Sequence, residues 1–217
     1  MIKQEIVQRT AEYVRSKFEG ESSGHDWWHI YRVWNNAKLI ARSEECDQAI
    51  VELGALLHDI ADYKFNNGNE EVGGIATQEW LKPFDIEDKY IQAIVHIVNN
   101  VSFKGEANNN KMQSIEGKIV QDADRLDAIG AVGIARCFAY GGYKGHMIYD
   151  PNVKPHLNMT KEEYKSHTGT QINHFYEKLL RLKDLMNTQT AKKIAEERHQ
   201  FMEKYLEEFF AEWEGKR

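Results

Sequence analysis

Ala49-Ile50-Val51-Glu52-Leu53-Gly54-Ala55-Leu56-Leu57-His58-Asp59-Ile60 is the most apolar run of the chain, interrupted by Glu52 and by His58-Asp59. It is too short to span a bilayer. It is also too uniformly apolar for a surface helix, so residues 46–60 read as a buried helix that stops near His58-Asp59. An imidazole and a carboxylate inside such a run are costly to bury unless paired or bound to a metal. Adjacent helical residues project about 100° apart. The pair therefore converges only on something seated in a groove between helices, and a metal ion fits that geometry.

Outward from this run the pattern stays helical. Ile2, Ile6, Val7, Val14 and Phe18 mark a first amphipathic helix over 2–19. A polar cap at His25-Asp26 opens a second from about Trp27 to Arg42, apolar on most sides and so expected to be buried. Helices are expected near 70–81 and 86–101, with a polar Asn-rich loop over 102–114. One helix is expected from Ile115 to about Tyr140, with Gly130 and Gly133 permitting close approach and Gly141-Gly142 ending it. Residues 141–159 form the longest irregular segment, a candidate lid with Tyr143, Lys144, His146 and Tyr149. Two long helices close the chain: one along Ile172, Phe175, Tyr176, Leu179, Leu180 and Met186, the other from Ala191 to Trp213. No period-2 strand and no repeat appears, so the fold class is all-α.

Composition narrows the partners. The 217 residues carry 34 acids against 28 bases, a net charge of −6. A nucleic-acid polymer needs a basic surface to displace phosphate counterions, so none is expected as a partner. A small anionic substrate remains compatible, because a local basic pocket outweighs a mildly negative surface. The two cysteines, Cys46 and Cys137, sit outside any CxxC and read as reduced, buried thiols. No apolar run suits a signal peptide or a membrane span, and a soluble, cytoplasmic protein is expected.

Two further segments repeat the anomaly at 58–59. In Gly24-His25-Asp26-Trp27-Trp28-His29-Ile30-Tyr31-Arg32-Val33, His25 and His29 are four apart and share a helical face. In Ile119-Val120-Gln121-Asp122-Ala123-Asp124-Arg125-Leu126-Asp127-Ala128, three Asp interrupt an apolar helix. Asp124 and Asp127 share a face there, while Asp122 points elsewhere. Two His and two Asp from three helices form a mixed N/O set suited to a divalent first-row metal with open positions for water. On spacing alone, a buried salt-bridge network in which His29 or His58 pairs with Asp124 competes evenly with a metal site. His199, alone on the last helix, reads as solvated.

The ordered series His29, then His58-Asp59, then Asp124 resembles the HD superfamily of metal-dependent phosphohydrolases. The resemblance covers about Gly24 to Gly142. With Asp62-Tyr63-Lys64 and His174-Phe175-Tyr176-Glu177-Lys178-Leu179 it extends over nearly the whole chain, toward a bacterial subgroup that includes nucleoside-triphosphate pyrophosphohydrolases. It implies a single-domain HD-type helical bundle over residues 1–217, with an HD core at about 20–142 and C-terminal helices over 160–215 packed on it.

Carried over position by position, the resemblance makes His29, His58, Asp59 and Asp124 the metal ligands. Asp62 falls where related guanosine-tetraphosphate hydrolases carry an acidic catalytic residue, and Lys64 follows at a position suited to a phosphate. His96 lies where binuclear relatives place another ligand. Residues 97–123 hold no His, so one metal is expected rather than two, which also disfavours a di-iron oxygenase. His96 then becomes a phosphate or leaving-group contact.

The implied cofactor is one divalent ion, manganese first, with Mg, Fe, Co, Ni or Zn also compatible with the donor set. Lowering the pKa of bound water toward neutrality prepares attack on phosphorus, while cations neutralise the phosphoryl oxygens. Asp62 and Asp127 are the candidate proton acceptors. Lys64, Arg125 and Lys144, together with His25 and His96, are the candidate substrate contacts, and Lys104 and Arg136 are weaker ones. The expected reaction releases pyrophosphate from a (deoxy)nucleoside triphosphate. A nucleotide phosphomonoesterase, an alarmone hydrolase and a non-catalytic nucleotide-binding sensor are the alternatives. The sequence leaves the oligomeric state open, a dimer being compatible.

Overall fold

The computed structural model describes residues 2–19, 26–61, 72–101, 112–157, 159, 163 and 169–217. His25, Asp62, Lys64 and Lys104 lie outside the described residues. Among the described residues the fold is all-helical, without strands. Its helices are α1 (Gln4–Lys17), α2 (Trp27–Ala41), α3 (Gln48–Leu57), α4 (Val72–Leu81), α5 (Asp88–Asn100), α6 (Ile115–Asp127), α7 (Gly130–Lys144), α8 (Gln171–Glu177) and α9 (Gln189–Trp213), with a 3-10 helix over Leu179–Leu185. The chain divides into two compact units, one of Met1–Lys104 with Asn108–Asp124, the other of Gly105–Ala107 with Arg125–Arg217. No helix among the described residues is long and apolar enough to cross a membrane.

The first unit is built around α3, buried at every position from Ile50 to Leu57. Asp47 starts it, its carboxylate accepting from Ala49 N at 3.0 Å and Ile50 N at 3.3 Å, so two orphan helix donors are satisfied. Glu116 at the start of α6 accepts from Asp47 N at 3.0 Å, tying α6 to the same point. Helices α1, α2 and α5 pack against α3. At Gly54 an added Cβ would lie 3.2 Å from Ile97 Cγ2 and 3.3 Å from Val120 Cγ2, so the missing side chain lets α5 and α6 close on the central helix. Buried Glu52 is satisfied by Trp34 Nε1, which donates to its Oε2 at 2.8 Å. Helix α2 departs from expectation: Trp28, Tyr31 and Leu39 are exposed, and only the stripe His29-Ile30-Val33-Ala37-Ile40-Ala41 is buried.

The single helix expected over 115–140 is two. Ile129 is extended at φ −126°, ψ 167°, and Gly130 takes φ +74°, a left-handed value that ends one helix and starts the next. Gly133 is needed by packing, since a Cβ there would collide with the Ala128 carbonyl. The glycines at 141 and 142 do not stop α7, which runs to Lys144 and ends at Gly145, φ +70°. The helix expected over 172–186 also breaks. Lys178 takes φ −141°, ψ −58°, and Leu179, Leu182 and Leu185 then recur at the three-residue period of a 3-10 helix.

The irregular residues after Gly145 are tied to α8. Gln171 N donates to Met147 O and Ile172 N to Ile148 O, both at 3.0 Å. Asn173 Nδ2 donates to Val153 O and His156 N to Glu177 Oε1, again both at 3.0 Å. Phe138, Phe175, Tyr205, Phe209, Tyr149 and Trp213 form a series of ring contacts in this unit, running from buried Phe175 to exposed Trp213. His199, expected to be solvated, is buried, with Nε2 3.3 Å from Glu203 Oε1. It sits on the α9 stripe of Ala195, Met202 and Leu206 that the apolar spacing marks as inward.

Candidate metal centre

The site assembles at helix ends. Asp26 caps α2 by accepting from His29 N at 2.8 Å, which fixes the first turn and with it the backbone of His29. His58 is the C-cap of α3 and is buried. Its Nδ1 lies 2.8 Å from Ala55 O. A carbonyl only accepts, so Nδ1 carries the proton and Nε2 of a neutral ring keeps its lone pair free for a cation.

That Nε2 faces His29 Nε2 at 3.2 Å. Asp59 Oδ2 lies 3.4 Å from His29 Nε2 and 3.5 Å from His58 Nε2. Asp124 Oδ1 approaches the same two nitrogens at 3.6 and 3.9 Å. His29, His58 and Asp59 form a group in which every donor lies within 4.8 Å of every other. Asp124 stands outside that group although it is near both imidazoles, so the two carboxylates are the farthest-separated donors of the four.

These separations test the fit of an ion. Metal–donor distances of about 2.0–2.2 Å, with angles of 90–110°, place neighbouring donors about 3.0–3.5 Å apart. The imidazole–imidazole and imidazole–carboxylate spacings, 3.2–3.9 Å, match that range or exceed it by a few tenths of an ångström, while the two carboxylates stand farther apart. The charge argument agrees. The His58 Nε2 lone pair and two carboxylates, largely shielded from water, face one another across His29 Nε2, and a cation among them or a proton donated by His29 relieves their repulsion. The donors fit a divalent ion.

The other expected residues have surroundings of their own. Asp127, the candidate proton acceptor, is buried and accepts from Arg136 Nη1 at 2.7 Å on Oδ2. Arg136 therefore forms an ordinary ion pair. Asp122 is fully buried. Arg125 is buried and its Nη1 donates to Leu185 O. His96 is exposed on α5, its Nδ1 3.4 Å from Asn100 Nδ2. Lys144 is exposed, its Nζ over the rings of Tyr140 and Tyr143 at 5.8 and 5.3 Å. Cys137 is buried as expected, and desolvation pushes its thiol up to about 12. Cys46 is only half-buried, and burial with nearby Glu116, Asp47 and Glu44 raises its thiol too.

The family model for the HD domain matches residues 27–129, a span that contains all four donors. The Bacillus subtilis (strain 168) protein YpgQ is 42% identical over 201 residues, covering 92% of this chain and 90% of its own. A solved HD-superfamily hydrolase from Bacillus thuringiensis is 45% identical, with a TM-score of 0.77 over 98% of this chain and 99% of that one.

The chain belongs to the HD superfamily.

A Lactobacillus plantarum structure superposes on this HD protein with a TM-score of 0.85 at 37% identity, covering 99% of this chain and all of that one. YpgQ has been solved in complex with ADP, and that structure matches with a TM-score of 0.73 at 40% identity over 94% of this chain and 95% of its own. HD domains bind divalent metals, and this chain is an HD-superfamily hydrolase with a His-His-Asp group of the matching kind. Sequence reasoning missed the Ala55 carbonyl that orients His58, which only the three-residue backbone offset from 58 marks in the sequence.

Proposed function

We propose that this HD hydrolase cleaves (deoxy)nucleoside triphosphates at the α-phosphorus, releasing pyrophosphate and a nucleoside monophosphate. The observation that carries the reading is the convergence of His29, His58, Asp59 and Asp124 with both Nε2 atoms facing inward. The ADP complex of YpgQ supports a nucleotide as the ligand.

In this reading the four side chains hold one divalent ion, manganese first, which when bound supplies Lewis acidity to water and to a phosphoryl oxygen. The protein's own contribution is preorganisation. The Ala55 carbonyl sets the tautomer of His58, and the Asp26 cap sets the first turn on which His29 sits. Asp62 orients the attacking water and takes its proton, and Lys64 neutralises the departing pyrophosphate. Arg125, with its donor on Leu185 O, and Asp127, paired to Arg136, act by fixing the C-terminal end of α6. Lys144 and His96, both exposed, are the further substrate contacts, together with His25, the residue before Asp26 in sequence.

The test is a screen of nucleoside mono-, di- and triphosphates and guanosine tetraphosphate with several divalent metals, detecting pyrophosphate and orthophosphate separately. Pyrophosphate from triphosphates is the expected product. Orthophosphate alone from every nucleotide would replace this reading with a phosphomonoesterase. No turnover with retained nucleotide binding would replace it with a sensor.

A further inference from the structure

With neutral imidazoles, the negative charge of the metal centre sits on Asp59 and Asp124, and one divalent ion balances that pair and no more. A polyphosphate bound there needs further cations from the protein. Helix α2 holds two candidates, Arg32 and Lys38. Each helical residue advances by about 100°. Lys38, nine residues after His29, is therefore turned to the opposite side, where its Nζ lies 4.0 Å from the centre of the Trp34 ring. Arg32, three residues after His29, is turned only about 60° from it and is half-buried.

Two neighbours on the same face fix what that face meets. His29 Nε2 stands 3.6 Å from Asp124 Oδ1. Asn36 follows His29 by seven residues and is turned about 20° from it. Its Nδ2 lies 3.5 Å from the carbonyl oxygen of Ala123, the residue before Asp124. Arg32 falls between these two contacts along α2, on the stripe that faces the Ala123-Asp124 segment. The helix also sets the direction of its side chain. Every Cα–Cβ bond tilts toward the N-terminus, so a long side chain covers the turn before its own. For Arg32 that turn carries His29, with Cβ atoms three residues apart separated by about 5–6 Å.

We infer that Arg32 binds a phosphate group of the substrate held at His29, His58, Asp59 and Asp124. A guanidinium presents a planar fork of donors that matches two oxygens of one phosphate and keeps its charge throughout the neutral range. Half-burial leaves it open in part to a ligand arriving from solvent. The inference rests on the nucleotide-hydrolase reading and adds to it a cation on the helix that supplies the first donor.

The test titrates inorganic pyrophosphate and ADP by calorimetry into the whole chain, with manganese kept in excess. Arg32→Ala should weaken both ligands by roughly 10–100-fold. Arg32→Gln, which keeps much of the side chain's length and loses its charge, should do the same and decides the matter if the alanine variant misfolds. Pyrophosphate affinity should also fall less steeply with added salt in the variants, because one charge fewer is left to screen. Manganese stoichiometry and helical content should match the wild type.

Unchanged pyrophosphate affinity in the folded variants overturns the assignment. A loss confined to ADP also overturns it, since Arg32 would then act on the nucleoside. Lost manganese, or weaker binding with the wild-type salt dependence, would make Arg32 part of the framework of the centre and equally defeat the proposal. Failure of the hydrolase reading is separately visible. A wild type that binds pyrophosphate and ADP without cleaving any nucleotide still tests Arg32 by these titrations, and one that binds neither ends the inference.

Discussion

His58 Nε2 lies 3.2 Å from His29 Nε2, while His58 Nδ1 is 2.8 Å from Ala55 O. The carbonyl holds the proton on Nδ1, so the two rings meet lone pair first unless His29 donates across the gap or a cation occupies it. With Asp59 3.4 Å from His29 and 3.5 Å from His58, a cation resolves both the nitrogen–nitrogen and the carboxylate repulsion. Metal removal should therefore cost stability as well as activity. Chelator-treated protein should melt lower, and manganese should raise the midpoint as its concentration grows, adding about 2.7 kcal/mol of unfolding free energy at a hundred times Kd. A midpoint indifferent to every divalent metal would reject the site.

Asp122 and Asp124 of α6 should separate cleanly on substitution. Asp124 Oδ1 is 3.6 Å from His29 Nε2, so Asp124→Ala should abolish stoichiometric metal binding and hydrolysis together, as should Asp59→Ala. Asp122→Ala should retain metal. Asp122 is fully buried, so that variant should instead lose about 1–3 kcal/mol of stability. Elemental analysis beside urea denaturation distinguishes the two behaviours. Full metal in Asp124→Ala would contradict the ligand assignment.

The contrast also shows what was legible in the sequence. Polar residues inside apolar helices betray themselves through the cost of burying them, which is why His29, His58-Asp59 and Asp124 could be singled out. Asp127 stands at the last turn of α6, where Arg136 from the next helix engages it at 2.7 Å. A periodic pattern contains no information about such a partner. The helix break at 128–130 was hidden for a related reason: Gly130 at φ +74° reads in sequence as a tolerated small residue. Trp28 misled in the opposite direction, since apolar character predicts burial only where another element arrives to cover it.

The cysteines give a test of burial through chemistry. Desolvation pushes the Cys137 thiol from its ordinary value near 9 up to about 12, whereas Cys46 is only half-buried. Native protein at pH 8 should react with a thiol reagent at Cys46 alone, and slowly, because its thiol is raised as well. Cys137 should label only after unfolding. The linkage sign follows. As pH rises above about 9 the unfolded chain loses this proton and the native state does not, so stability should decline between pH 9 and 12. Rapid labelling of both thiols in the native state would show the α7 and α8 packing around Cys137 to be open.

The final prediction concerns the departing pyrophosphate. It carries more negative charge than the monophosphate left behind, so attack at the α-phosphorus requires more cations than removal of a single phosphate. Arg125 is engaged with Leu185 O and Arg136 with Asp127, which leaves Lys64 and Lys144 as the lysines assigned to the phosphates in this reading. Each charge-assisted contact is worth roughly 1.5–3 kcal/mol. Lys64 follows Asp59 by five positions and is not a candidate ligand. Lys64→Ala should therefore keep stoichiometric metal and lose turnover by about 10–100-fold, at about 1.4 kcal/mol per factor of ten. Lys144→Ala, on an exposed side chain over Tyr140 and Tyr143, should cost less. Single-turnover rates with triphosphate, measured beside metal content, decide the matter. A Lys64→Ala enzyme as fast as wild type would remove that lysine from the mechanism, and one that loses its metal would make it part of the site's framework.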